Sequence, residues 1–299
     1  MTESKNIVSE PQPEWGGPWT EKKLDAFSKY VKSYLLIMRK FPYWKTIYFD
    51  GFAGSGSRKN IVNTELYSQL KITKEEELIY KGSAERVLSL PADMRFDFYY
   101  FIDANEKSLQ KLKEKLTSLT NVKPDNLVFK AGDSNKWLLE LSNALKTKKM
   151  AALVFLDPFG MQINWESIVA LKGTRSDVWI LVPTGVIVNR LLDKAGKLTH
   201  LEKLQSFFGL TEPEIRKIFY KKEISNSLFG EEQEVNTKIE APIQKIAQLY
   251  IDRLKTVWTH VTETPLRLDN TRGVPIFHLV FASNNENAKK IAKDIIKTK

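Results

Sequence analysis

The sequence of 299 residues contains no cysteine and only three histidines, His200, His260 and His278. Without cysteine, disulfides, thiolate metal sites and cysteine nucleophiles are excluded, and the histidines do not have the spacing of a metal-ligand motif. No apolar run approaches membrane-spanning length, and residues 1–17 lack the apolar stretch of a signal peptide. We therefore expect a cytoplasmic protein with no metal centre and no membrane partner.

An excess of positive charge indicates the kind of partner. Lysine and arginine together number 46 against 36 acidic residues, which gives a net charge of +10. Such an excess favours a polyanionic partner such as RNA or DNA. The charge is spread along the chain and is not held in one arm, so charge alone is weak evidence for nucleic-acid binding.

The most informative stretch is residues 47–56, in which an apolar run ends in Asp50 and a glycine turn. Such a run predicts a strand leaving the core. Gly54 and Gly56 carry no Cβ, so a ligand can approach the backbone there. We expect the Asp50 carboxylate to face that ligand at the carboxyl end of the sheet. Lys59 stands where a dinucleotide fingerprint has its third glycine, and no phosphate-binding Gly-Lys-Ser/Thr motif is present.

Acidic residues also follow the next two predicted strands. Residues 96–103 form an aromatic strand that ends in Asp103, whose carboxylate can accept both hydroxyl groups of a ribose. Residues 126–134 end in a Gly-Asp-Ser turn that contains Asp133 and Ser134. Taken alone, that turn is an ordinary loop signal.

The fourth predicted strand, residues 151–156, is apolar on both faces, as expected at the centre of a parallel sheet. It is followed by Asp157, Pro158, Phe159 and Gly160. The Asp157 carboxylate and the Pro158 carbonyl can accept N–H groups, and the Phe159 ring offers a face on which a base can stack. This end of the strand therefore offers a ligand two hydrogen-bond acceptors and an aromatic face.

Two segments have two interpretations each. Ser83 follows Gly82 at the start of a helix predicted over residues 82–90, where it can cap the helix or contact a ligand. Trp15 and Trp19 flank a Gly-Gly-Pro turn, where they can cover the edge of the core or form a wall of the ligand pocket.

The remaining pattern indicates one domain with an N-terminal arm. Residues 1–18 form the arm, and Thr20 is predicted to cap the first helix. The domain occupies residues 19–299 and includes a mainly helical insertion at about 186–255. Two strands around a turn at residues 269–273 and a C-terminal helix complete the pattern.

The pattern Asp-x-x-x-Gly-x-Gly that begins at Asp50 resembles the first motif of class I S-adenosyl-L-methionine (SAM) methyltransferases. Nearly the whole chain resembles the three-Cys-motif partner (TcmP) family, on residues 16–24, 49–56, 155–160 and 277–282. This resemblance implies a Rossmann-like α/β fold, with a mostly parallel seven-stranded sheet, helices on both faces and an antiparallel last strand. The family name implies a partner protein that bears a three-cysteine motif.

The resemblance also implies the cofactor SAM and the residues that bind it. Ser83 is similar in position to the serine of the Gly-Ser-Pro helix start in ribosomal RNA adenine-N6 methyltransferases, although Ala84 replaces the proline. Asp133 would accept a hydrogen bond from the adenine amino group. The implied SAM-binding residues are Asp50, Gly51, Phe52, Gly54, Gly56, Ser83, Asp103, Asp133 and Ser134.

The Asp-Pro-Phe-Gly motif is similar to that of tRNA guanine-N2 dimethyltransferases, which implies catalytic roles for Asp157, Pro158 and Phe159. The commoner adenine-N6 pattern has two prolines, so the target base stays open. A methyl group on a sulfonium is already activated and needs no metal or protein nucleophile.

The expected function is SAM-dependent methylation of an exocyclic amine of a nucleobase. RNA is favoured over DNA, because a duplex-DNA target usually comes with a separate recognition domain. One alternative is a SAM-binding partner subunit of a three-Cys-motif protein without turnover of its own. The other is a protein or small-molecule methyltransferase, against which the ring of Phe159 argues.

Overall fold

The computed structural model describes residues 18–55, 82–119, 122–158, 160–193, 196, 198, 200–226, 232–270 and 272–298. The helices in these ranges are α1 (Pro18–Met38), α2 (Ser83–Leu88), α3 (Glu106–Leu119), α4 (Ser134–Thr147), α5 (Trp165–Ala170), α6 (Asn189–Leu191), α7 (Leu201–Phe208), α8 (Glu212–Phe219), α9 (Pro242–Leu254) and α10 (Glu286–Lys297). A π-helix spans Thr184–Val188 and a 3₁₀ turn spans Pro124–Asn126.

The strands are β1 (Lys45–Asp50), β2 (Phe98–Asp103), β3 (Leu127–Ala131), β4 (Met150–Leu156), β5 (Ser176–Val182), β6 (Tyr220–Asn226), β7 (Glu232–Lys238), β8 (His260–Val261), β9 (Leu266–Asp269) and β10 (Pro275–Ser283). The central sheet has the order β3-β2-β1-β4-β5-β10-β8, and β9 also pairs with β10. Strands β1 to β5 are parallel, and β10 runs antiparallel to β5. This arrangement confirms the predicted mostly parallel α/β sheet with an antiparallel last strand.

The sheet has eight strands where the sequence predicted seven. The difference lies at one edge, because two short strands share the free edge of β10. Strand β8 pairs with Ala282 and Ser283, and β9 pairs with the opposite end of β10. Pro265, which has no N–H group for a ladder hydrogen bond, lies between β8 and β9.

Helices cover both faces of the sheet, as predicted. Helices α1, α2, α3 and α10 bury their apolar sides in one core, and α4, α5, α7, α8 and α9 bury theirs in the other. In α1, the buried residues Leu24, Phe27, Val31 and Leu35 recur at the three- and four-residue steps of one helix face. The ring of Phe27 stacks on that of Phe155 in β4, with ring centroids 4.1 Å apart, so α1 packs directly over the centre of the sheet.

Helix α1 begins at Pro18, two residues before the predicted cap at Thr20. Proline is well accommodated in the first turn of a helix, where its missing N–H group costs no hydrogen bond. Trp19 therefore belongs to the helix; it is 8% exposed and its ring stacks on Phe277 of β10, with centroids 5.2 Å apart. This contact favours the interpretation that Trp19 covers the edge of the core. Trp15 and the rest of the predicted arm up to residue 17 lie outside the described residues.

The segment predicted as a mainly helical insertion also contains a hairpin. Strands β6 and β7 pair with each other in a separate two-stranded sheet, in a register that joins Tyr220 to Lys238. The side chain of Lys238 fastens the hairpin to the segment after the π-helix, since its Nζ donates to the carbonyls of Asn189 and Leu192 at 2.7 and 2.6 Å. Both strands are rich in charged residues, which resemble the polar face of a helix in the sequence.

None of the helices among the described residues combines the length and the apolar character needed to cross a lipid bilayer.

Candidate active site

Acidic residues lie in a row along the carboxyl edge of the sheet. Asp50 pairs with Phe101 of β2 and with Phe155 of β4, so Asp103 and Asp157 each lie two residues beyond its level. Asp103 pairs with Ala131 of β3, and Asp133 follows two residues later. The order along the edge is Asp133, Asp103, Asp50 and Asp157, over three strand spacings of about 4.8 Å, or roughly 14 Å. The direction of strand succession reverses between β1 and β4, which is where open α/β sheets bind ligands.

The side chain of Asp50 is fully buried, in contrast to the expected position facing a ligand in the open crevice. Its Oδ2 accepts hydrogen bonds from the hydroxyls of Tyr48 at 2.9 Å and Ser83 at 2.6 Å, and its Oδ1 accepts one from the Phe52 N–H at 3.3 Å. Burial raises the pKa of Asp50 to about 6, although the hydrogen bonds from Ser83, Tyr48 and Phe52 lower it and the charge of Asp157 raises it. Asp50 thus organises the turn after β1, and a direct contact with a cofactor stays a prediction.

Ser83 is the first residue of α2, and Gly82 is the N-cap. The interpretation of Ser83 as a capping residue is therefore wrong, since its hydroxyl donates to Asp50. Helix α2 is held against α1 by Arg86, which forms ion pairs with Glu21 and with Asp25, the latter at 2.8 Å. The hydrogen bond of Ser83 consequently joins the end of β1 to a helix that is fixed on its outer side.

The glycines of the turn have different surroundings. A Cβ on Gly51 would lie 2.7 Å from both Leu156 Cδ2 and Ser134 Oγ, so this glycine is required for packing within the protein. Gly54 has a φ of +62°, and a Cβ there would meet no atom of the described residues within 4 Å. Its N–H donates to Asp103 Oδ2 at 2.9 Å. Gly56, the other predicted cofactor residue of this turn, lies outside the described residues.

The ends of β2 and β3 carry the next predicted residues. Asp103 is half-buried, and its Oδ1 accepts from the Asn105 N–H at 2.7 Å. Asp133 is exposed and caps α4, with its Oδ1 accepting from the Asn135 N–H at 2.9 Å. The hydroxyl oxygen of Ser134 is buried and has no hydrogen-bond partner among the described residues.

Asp157 forms an ion pair with Lys23 of α1, a contact that sequence reasoning missed. The Lys23 side chain is 4% exposed and that of Asp157 is 20% exposed. The Lys23 ammonium also lies over the ring of Trp19, 5.3 Å from its centroid. The sequence contained a sign that Lys23 is buried, because Lys23 precedes Phe27 by four residues and therefore lies on the apolar face of the predicted helix.

Of the remaining Asp-Pro-Phe-Gly residues, Pro158 is buried directly after Asp157. Phe159 lies outside the described residues, so its stacking role stays a prediction. The structure therefore brings together Asp50, Ser83 and Asp157 on the α1 side of the switch point. Phe52, whose ring packs against the opposite core, contributes its N–H group to Asp50.

The strand order and the antiparallel last strand define a Rossmann-like α/β fold. Among solved structures, Trm1 from Pyrococcus horikoshii in complex with S-adenosyl-L-methionine has a TM-score of 0.37 at 11% identity, over 94% of this chain and 76% of that chain. A putative S-adenosylmethionine-dependent methyltransferase from Listeria monocytogenes has a TM-score of 0.32 at 12% identity, over 81% and 92% of the two chains.

A SAM-dependent methyltransferase from Anabaena variabilis has a TM-score of 0.30 at 11% identity, over 93% of this chain and 99% of that chain. At such low identity and TM-score, these similarities carry no conclusion about what this chain binds or does. No protein-family model matches the sequence, and no curated protein matches it.

Proposed function

We propose that this protein is a SAM-dependent methyltransferase that methylates an exocyclic amine of a nucleobase, with RNA favoured over DNA. The observation that carries the proposal is the row of acids at the carboxyl edge of the sheet. In that row Asp103 and the turn at Gly54 lie on one side of the switch point, and Asp157 and Pro158 lie on the other. A cofactor and an acceptor amine would then meet between β1 and β4.

The chain's own residues fit SAM on the β1–β3 side of the crevice. The Asp103 carboxylate would accept the two ribose hydroxyls, and the described residues leave space for a ligand beside the backbone of Gly54. The buried hydroxyl of Ser134 lacks a partner among the described residues, which supports a polar ligand near the Asp133 turn. Bound SAM supplies a methyl group that is already activated by its sulfonium.

The β4 end would hold the acceptor amine. The Asp157 carboxylate and the Pro158 carbonyl would accept one N–H bond each and so direct the nitrogen lone pair toward the crevice. Because the charge of Asp157 is already balanced by Lys23, the site favours a neutral amine over the ammonium group of a lysine side chain. An amine on a base is neutral, and the proposed stacking on Phe159 would fix the plane of that base.

The net charge of +10 supports a polyanion as the carrier of that base. Single-stranded RNA regions present unstacked bases whose edges can enter a pocket, whereas a base in a duplex has first to be flipped out. These arguments place RNA ahead of DNA in the proposal.

A second candidate function is a SAM-binding partner subunit of a three-Cys-motif protein, without turnover of its own. The resemblance to the TcmP family motivates it. The ion pair between Lys23 and Asp157 favours it further, because the proposed catalytic carboxylate is engaged within the chain.

Transfer of tritium from methyl-labelled SAM to total RNA and to genomic DNA tests the proposal. We expect label on RNA, and a loss of at least about 100-fold in rate for Asp157→Asn, the range over which a positioned catalytic group acts. The matched control is Asp93→Asn, since Asp93 lies outside the site and forms an exposed ion pair with Arg39. Binding of SAM without transfer to either polymer would contradict the proposal and support the partner-subunit function.

A further inference from the structure

The first turns of α1 are fixed on both sides of the candidate site. On the β1 side, Arg86 of α2 forms ion pairs with Glu21 and Asp25 of α1. On the β9 and β10 side, the Lys22 ammonium donates to the carbonyl of Arg267 at 3.3 Å, and the Trp19 ring stacks on Phe277. The backbone of Lys23, which lies between these anchors, is therefore held in place over the end of β4.

The side chain of Lys23 is in an unusual environment for a lysine. It is 4% exposed, its ammonium pairs with Asp157 and it lies over the ring of Trp19. Lysine is rarely this buried, because its ammonium loses hydration. A buried ion pair commonly contributes no more stability than an apolar pair of similar size. Folding stability alone is thus a weak reason for a lysine at this position.

The ion pair between Lys23 and Asp157 uses one of the two carboxylate oxygens of Asp157. Lys23 donates to Oδ2, and no described residue donates a hydrogen bond to Oδ1. An exocyclic amine has two N–H groups, and the free Oδ1 and the Pro158 carbonyl are two acceptors. We propose that Lys23 is a positioning residue, which holds the Asp157 carboxylate so that Oδ1 is presented to the acceptor amine. This inference rests on the proposed methyltransferase function.

The proposal requires that Lys23 act through Asp157 and have no effect on the affinity for SAM. In Lys23→Met, we expect kcat for methyl transfer to fall by roughly 100-fold, the order of loss that follows a small misplacement of a reacting group. The Kd for SAM, measured by calorimetry, should not change, because the proposed cofactor residues lie at the ends of β1 to β3 and at the start of α2, whereas Lys23 contacts Asp157 after β4. Lys29→Met is the matched control, since Lys29 is exposed on the same helix and should retain full activity.

A double-mutant cycle on kcat separates this role from general damage to the fold. If Lys23 acts through Asp157, Lys23→Met should cost little in a chain that already carries Asp157→Asn. Lys23→Arg keeps a cation that can donate to Oδ2 and should recover part of kcat. Urea unfolding of each variant identifies any variant that fails to fold. If Lys23→Met does not fold, the double-mutant cycle of Lys23→Arg with Asp157→Asn replaces the cycle of Lys23→Met.

The outcomes separate this inference from the proposed function. Independent losses in the cycle, or full kcat in Lys23→Met while the wild type transfers methyl groups, would overturn the role of Lys23 and leave the proposed function standing. A wild type that binds SAM but transfers no methyl group to RNA or DNA would overturn both. A large loss in Lys23→Met, with unchanged SAM affinity and no further loss in the double variant, is the result that we expect.

Discussion

The buried carboxyl group of Asp50 should contribute less to the stability of the folded protein as the pH rises from about 4 to 6. Burial raises its pKa from 3.8 to about 6. Between these values the unfolded chain has released the proton of Asp50, whereas the folded protein still holds it. The contribution of Asp50 to the free energy of unfolding therefore decreases with rising pH across this window, and this contribution is fully present only below the unfolded pKa.

The structure sets the size of the effect. A shift of about two pKa units at 1.36 kcal/mol per unit gives about 3 kcal/mol between low pH and neutrality. The residue is 0% exposed, so solvent screening does not reduce this figure. Asn in place of Asp50 keeps a similar shape but cannot ionise, so it removes the pH dependence of this position.

His278 hides the effect in the wild-type protein, because its contribution has the opposite sign. Burial and the charge of Arg267 lower the pKa of His278 from 6.5 to about 4. In this window the unfolded chain binds a proton that the folded protein excludes, so stability rises with pH by about 3 kcal/mol. The contributions of Asp50 and His278 largely cancel, and only a comparison with a variant can separate them.

Urea unfolding at pH values from 4 to 7 measures the difference directly. The free energy of unfolding of the wild type minus that of Asp50→Asn should fall by about 3 kcal/mol across this range. Asp93→Asn serves as the exposed control and should parallel the wild type. A difference between wild type and Asp50→Asn that stays constant with pH would refute the reasoning.

Three further variants test other parts of the structure. His278→Gln should remove the contribution of His278, which has the opposite sign to that of Asp50. In the same urea series, the free energy of unfolding of the wild type minus that of His278→Gln should rise by about 3 kcal/mol from pH 4 to 7, and a difference that does not change with pH would contradict this. Ser83→Ala removes the 2.6 Å hydrogen bond to Asp50 and should lower the free energy of unfolding by about 1–3 kcal/mol at pH 7. An unchanged urea midpoint would exclude that role. Gly185→Ala places a Cβ 2.0 Å from the Pro275 carbonyl oxygen and should cost about 1–3 kcal/mol, measured by thermal unfolding; an unchanged melting temperature would show that the π-helix has room to move.

The parallel sheet and its acidic edge could be predicted from the sequence because their signals are local. Each strand is a short apolar run, and each of Asp50, Asp103, Asp133 and Asp157 stands at or just after the end of such a run. In a parallel sheet the ends of neighbouring strands lie at one edge, so local patterns were enough to place these residues together.

The partners of the site residues could not be predicted, since they come from elements that are distant in sequence. Lys23 meets Asp157 across 134 positions, and Ser83 meets Asp50 across 33. The first pairing depends on how α1 packs over the sheet, and the second depends on how α2 is fixed by Arg86. The hairpin of β6 and β7 was missed for another reason, because its charged residues have no apolar alternation that would distinguish strand from helix.

The central claim is that the carboxyl edge of the sheet binds SAM, and calorimetric titration of SAM into the wild type and Asp103→Ala tests it most directly. Asp93→Ala, an exposed acid outside the site, is the control. We predict saturable binding to the wild type and to the control. We predict an affinity lower by about 10- to 100-fold for Asp103→Ala, the cost of losing hydrogen bonds to a charged group. Absence of SAM binding by the wild type, or equal affinity in Asp103→Ala, would contradict the account.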